Sequence, residues 1–239
     1  MMSAMSALSL SARPLVDPIE GVAAVVEGRR WLLPLLALMV FASLSAVVLY
    51  FRWDASGSVI SQLTMSGEIS RVTEQEFLEQ VATAQRKALV AGVAKGLLWM
   101  PLFSLLLATA LKLTGWLIGQ KALFVRCFTA ATVGLLPMTL YHLVFSAVAF
   151  HQLTITDGQL QTLVPSALDA FFPHAGPKLI RVLKAVDFFN LWSAGLMGLG
   201  FAAASGMRKH RGALLGLWLY VLYAGVFIVG LPGMMGGEK

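Results

Sequence analysis

From Trp31 to Phe51 the chain runs through twenty-one residues without a single charge. As a helix at about 1.5 Å per residue this stretch is about 30 Å long, the thickness of a bilayer's hydrocarbon core. In hydrocarbon a single isolated segment satisfies its backbone N–H and C=O groups only by coiling into a helix. Trp31 and Tyr50 stand near its two ends, where aromatic rings anchor at the membrane–water boundary. Pro34 falls in the first turn, where a missing N–H costs little. A soluble fold is therefore out of reach, and the question becomes how many further spans follow.

Four more apolar stretches are long enough, so spans are expected at about 31–51, 89–111, 127–150, 186–205 and 213–230. The composition agrees: 58% hydrophobic and 13% charged residues, against about 45–50% and about 25% in soluble chains. The expected fold is all-α, a polytopic membrane helical bundle of five transmembrane helices with an N-terminal interfacial helix. That first helix follows from Asp17-Pro18, an N-cap before a proline at the first helical position. Ile19, Val22, Ala23 and Val26 then share a face, suited to the inner membrane surface ahead of Arg29-Arg30. Met1–Ala12 has neither the basic start nor the continuous apolar core of a secretory signal. Residues 1–13 are expected to form a disordered tail, and 14–239 a single membrane domain.

The connections carry local signals. Thr73 and Glu76 make a T-x-x-E capping box, and Phe77, Val81, Ala84 and Ala88 recur at helical spacing into the second span. Glu74, Glu76 and Glu79 are the densest acidic group; at a helix start the macrodipole favours them without any metal. Pro137 should kink the third span, with Gly134 and Thr139 easing the bend. In 151–184, Pro165, Asp169 and Pro173 argue against a sixth span. Lys112–Arg126 and Met207–Arg211 each hold three Lys or Arg residues. The positive-inside rule makes both cytoplasmic, with the N-terminus inside and the C-terminus outside.

Two groups of residues stand out as candidate sites. On the fourth span, Ala194, Gly198 and Ala202 repeat every four residues, a helix-packing ridge that lets a neighbouring backbone approach closely. Nearer the outer leaflet, helix rise brings Lys95, His142, Asp187 and Asn190 to a similar depth. A charge in the membrane is costly and commonly pairs, which suggests Lys95 with Asp187, and His142 or Asn190 completing the hydrogen bonds. The plainer alternative is that Lys95 snorkels to the headgroups and Asp187 caps its helix.

Other chemistry finds little support. No Walker loop, zincin motif, dinucleotide fingerprint or C-x-x-C occurs, so no catalytic, cofactor-binding or metal-ligating residues are expected. Ser205 in an A-A-S-G run imitates a serine nucleophile with His142 as base. Helix rise, however, separates the two by about 20 Å of depth. The lone Cys127 forms no disulfide within the chain and suits a small apolar site. The net charge of +6 comes from residues scattered at helix ends, without the clustered footprint of a nucleic-acid binder.

The segment Val186–Gly212, VDFFNLWSAGLMGLGFAAASGMRKHRG, resembles the signature of the Yip-domain family, Ypt-interacting-protein-like membrane proteins. Asp187, Phe188, Trp192, Ser193, Gly198 and Gly200 fit its acid, aromatic, Trp-Ser and glycine-rich pattern, and LLPM at Leu135–Met138 resembles its proline-bearing third helix. The resemblance implies a non-catalytic integral membrane protein that organises membranes or binds partners. Eukaryotic relatives work with Rab-type GTPases. The short tail and compact basic loops here suit a bacterial inner membrane, where that partnership does not carry over. The expected partners are the lipid bilayer and other membrane proteins or a second copy, with no nucleic acid. The alternative is a small transporter or ion-coupled permease using Lys95, His142 and Asp187.

Overall fold

The computed structural model describes residues 12–160 and 162–230. The expected N-terminal tail thus lies almost wholly outside the described residues. Among those described, every regular element is helical, and β-type contact is confined to two isolated bridges, Trp53 with Ile155 and Ala167 with Asp187. The helices are α1 (Pro18–Glu27), α2 (Leu32–Arg52), α3 (Ala55–Ser66), α4 (Glu74–Ala94), α5 (Met100–Leu117), α6 (Phe124–Gly134), α7 (Leu136–His151), α8 (Asp157–Leu160), α9 (Pro177–Ala185), α10 (Phe188–Ser205) and α11 (Lys209–Tyr223). Wide π-turns at Lys95–Trp99 and Ala224–Gly230 prolong α4 and α11.

Five helical runs are long and apolar enough to cross a bilayer: Leu32–Arg52, Glu74–Leu117, Phe124–His151, Phe188–Ser205 and Lys209–Gly230. The architecture is the expected all-α polytopic bundle. Prolines explain two of the irregular points. Pro137 brings no N–H, and the third span breaks at Leu135 between α6 and α7 before restarting from its carbonyl. Pro101 cannot donate to the carbonyl of Leu97, and the preceding turn widens into the π-turn at Lys95–Trp99.

The chain groups into two compact units. The first holds the described residues up to Leu38, Met100–Leu140, and those from Pro165 onward. Its centre is α10. Leu196, Phe201 and Ala204 of α10 share a core with Ala108 and Leu111 of α5, and with Cys127, Ala130, Ala131 and Val133 of α6. Val22, Val25 and Val26 of α1 complete it, and all three are fully buried. The apolar stripe of the N-terminal helix is therefore covered largely by protein, while Ile19 remains exposed. Lys209 pairs with Glu20 at 2.8 Å, holding α1 beside the basic turn that precedes α11. Trp31 meets Phe128 edge to face at 5.4 Å.

The second unit is Met39–Trp99 with Tyr141–Val164. The chain leaving α2 is clamped to the chain leaving α7: Asp54 N donates to Ile155 O at 2.9 Å and Ile155 N to Arg52 O at 2.7 Å. Trp53 Nε1 donates to Asp157 Oδ1 at 2.7 Å, and the Arg52 guanidinium lies over Phe150. Asp54 caps α3, which ends at Gly67 with φ 72°, a left-handed turn that glycine adopts without strain. Thr73 and Glu76 form the full reciprocal capping box of α4.

Candidate functional site

The candidate polar residues divide two and two between the units. Asp187 and Asn190 belong to the first, Lys95 and His142 to the second. Asp187 is buried at the head of α10. One carboxylate oxygen accepts from Asn190 N at 2.8 Å, and the other accepts from the Ser166 hydroxyl. Its backbone is pinned as well: Phe188 N donates to Ser166 O at 2.9 Å and Leu168 N to Val186 O at 3.1 Å. Nearby, the Tyr220 hydroxyl donates to Ala185 O at 2.7 Å. The acid thus caps its helix and ties the loop before α9 to the end of the span.

In the second unit His142 Nδ1 lies 3.1 Å from Ser45 Oγ. The Ser45 hydroxyl already donates to Ala42 O at 2.7 Å, so the imidazole N–H is the donor between them. Lys95 opens the π-turn of the second span in the same unit. Ser43 and Ala46 of α2 face Gly96 and Gly92, where an added Cβ would collide with either residue. These two glycines, four residues apart, let the helices approach as small-residue ridges do in membranes. Their spacing in A-G-V-A-K-G is the same small-residue signal, outside the ridge expected on the fourth span.

The ridge of α10 lies against α11. A Cβ on Gly198 would run into the Gly212 carbonyl, with its carbon only 2.9 Å away. A Cβ on Gly216 would meet the Ala194 carbonyl oxygen and, at 2.8 Å, Gly198 N; one on Gly212 would meet Ala202. The other side of α10 is equally tight. Cβ atoms on Gly200 and Gly134 would come within 2.8 Å of Ala130 and 2.7 Å of Met197 respectively, which brings α6 against the same helix. Gly115 of α5 approaches the Phe201 ring similarly, at 2.8 Å.

Several of the remaining hydroxyls are absorbed by their own helices, whereas those of Ser43, Thr139 and Ser193 are buried with no hydrogen-bond partner among the described residues. Ser104, Thr109, Thr129, Ser146 and Ser205 each donate to the carbonyl four residues back. Ser205 spends its hydroxyl proton on Phe201 O at 2.8 Å. Among the described residues no three His, Cys, Asp or Glu side chains assemble into a possible metal site. The hydrogen bonds around the candidate polar residues cap helix ends and link neighbouring segments.

The Yip1 domain family model matches residues 13–231. No curated protein and no solved structure matches the chain. With a match over nearly the whole chain and five helices fit to cross a bilayer, the chain belongs to the Yip1 domain family and is an integral, multi-pass membrane protein.

Proposed function

We propose that this protein is a non-catalytic scaffold that organises a membrane or binds other membrane proteins, a second copy of itself included. The observation that carries the proposal is the packing of α10. Small residues on two of its sides bring α6 and α11 to backbone contact, so this unit is solid where a permeation path would need room. A further set of large apolar side chains points outward: Leu102, Leu105 and Leu106 on α5, and Leu214, Trp218 and Val221 on α11, are all exposed. Such a perimeter suits lipid and neighbouring spans. The hydrogen-bonded polar groups described above act as caps and links, which is a structural use. Purification in mild detergent should retain specific membrane partners or a self-associated form. Steady solute or proton flux from proteoliposomes of the pure protein would overturn the scaffold reading.

The second reading, a small ion-coupled permease, draws on one feature: the Ser45–His142 link beside Lys95 and its π-turn. Wide turns of this kind recur at functional sites. The same flux assay decides it, with His142→Ala abolishing transport.

A bacterial inner membrane, with the N-terminus cytoplasmic and the C-terminus outside, completes the proposal. In the first unit the Gly115–Phe201 approach sets the ends of α5 and α10 together. Lys112, Lys121, Arg126, Arg208, Lys209 and Arg211 therefore gather at one end, as the positive-inside rule favours for a cytoplasmic face. A reporter fused after Lys239 that is active only in the cytoplasm would overturn this arrangement.

A further inference from the structure

The segment before the fourth span carries a surface that the packing of the first unit leaves open. α9, Pro177–Ala185, is sharply two-faced. At 100° per residue, Lys178, Arg181 and Lys184 occupy one arc of the helix, and Leu179, Ile180, Val182 and Leu183 the other. The apolar arc is itself divided. Ile180 and Leu183 are half-buried, and the helix packs on the Ala224–Gly230 turn. Leu179 and Val182 are left 52% and 46% exposed. Beside them, the 3₁₀ turn Leu168–Phe171 and its cap present Phe171 and Phe172, 68% and 53% exposed. A soluble surface rarely leaves such a patch uncovered.

The chain dictates where this patch lies. α9 ends at Ala185 and α10 starts at Phe188, so only Val186 and Asp187 separate a surface helix from a membrane span. Both residues are fixed by the Ser166, Leu168 and Phe188 hydrogen bonds, and Tyr220 of the neighbouring span holds Ala185. α9 has no slack with which to leave the membrane boundary. A helix at that depth with aromatics, an open apolar stripe and three cations matches a headgroup layer, apolar below and anionic above.

We infer that α9, with Phe171 and Phe172, is a lipid-binding element that seats in the membrane interface and selects anionic phospholipid. Leu179, Val182 and the two phenylalanines enter the upper acyl region. Lys178, Arg181 and Lys184 meet the phosphates, each cation adding attraction that salt screens. The element belongs to the leaflet at the Asp187 end of α10, about 27 Å of helix from the basic turn at Arg208.

The test uses the full chain in nanodiscs of phosphatidylcholine containing phosphatidylglycerol. Cys127 is fully buried, so thiol labels attach selectively to cysteines introduced as Val182→Cys or Lys184→Cys. A nitroxide at 182 should be relaxed by oxygen several-fold more than by a water-soluble nickel chelate, and one at 184 should show the reverse. A fluorophore at 182 should be quenched more by brominated phosphatidylglycerol than by brominated phosphatidylcholine at equal mole fraction. Lys178→Gln, Arg181→Gln and Lys184→Gln together should remove that difference. Equal chelate access at 182 and 184 would overturn the proposal and leave the patch to a soluble partner or a second copy. Equal quenching by the two lipids in the otherwise unaltered chain would overturn the anionic selectivity. Neither outcome depends on the triple variant folding.

Discussion

Gly198 of α10 and Gly212 of α11 meet backbone to backbone, with no room at Gly198 for even a methyl group beside the Gly212 carbonyl. Three residues earlier on the same helix, Gly195 has nothing within 4 Å of its missing Cβ. The pair makes an internal control. Gly195→Ala should leave stability unchanged or raise it by up to ~1 kcal/mol, through helix propensity alone. Gly198→Ala should lower it by about 1–3 kcal/mol through overpacking, and Gly198→Leu by more. Thermal unfolding in detergent compares them, and equal melting temperatures would refute the close contact.

Asp187 offers a second contrast. Asp187→Asn keeps an oxygen for Asn190 N and a polar partner for Ser166, so its cost should stay below about 1 kcal/mol. Asp187→Ala removes the cap and strands a hydroxyl, at about 1–3 kcal/mol. In a cycle with Ser166→Ala the losses should be less than additive. Strict additivity would show that the Ser166 link contributes nothing.

The histidine tautomer can be read directly. Because Ser45 Oγ–H is committed to Ala42 O, His142 should carry its proton on Nδ1, visible in the nitrogen shifts of the labelled protein. Ser45→Ala should move the population toward the Nε2–H form. An Nε2–H histidine in the unaltered protein would contradict the link.

Acid should loosen the start of α4. Glu76 accepts from Thr73 N at 2.8 Å and Thr73 Oγ1 at 2.9 Å, and these bonds hold its carboxyl below the ordinary carboxylate range. With the folded value lowered, the stabilisation is fully present above the unfolded value and is lost as pH falls through the folded one. Amide protection factors around 73–77, corrected for intrinsic exchange, should drop over that acid window. Glu76→Gln should flatten the profile.

Much of this architecture was legible because hydrocarbon imposes simple rules. The charge-free run at 31–51, the Thr73–Glu76 box and the Ala194–Gly198–Ala202 spacing are all local patterns. Their partners are not local. Ser45 and His142 are 97 residues apart, and Ser166 and Asp187 are 21 apart; no periodicity links them. The second tight face of α10, at Gly200 and Met197, was hidden for another reason. In a helix apolar all round, composition does not tell a protein-facing side from a lipid-facing one. The N-terminal helix shows the same ambiguity: its valines read as a membrane-facing stripe, and they lie against α6 and α10.

The two-residue joint between α9 and α10 has a mechanical consequence. A span answers a thicker or thinner bilayer by changing its tilt. With Val186 and Asp187 pinned to the loop ahead of α9, that change of tilt has no flexible tether in which to dissipate. The height of the surface helix and the inclination of the span are therefore one variable, not two.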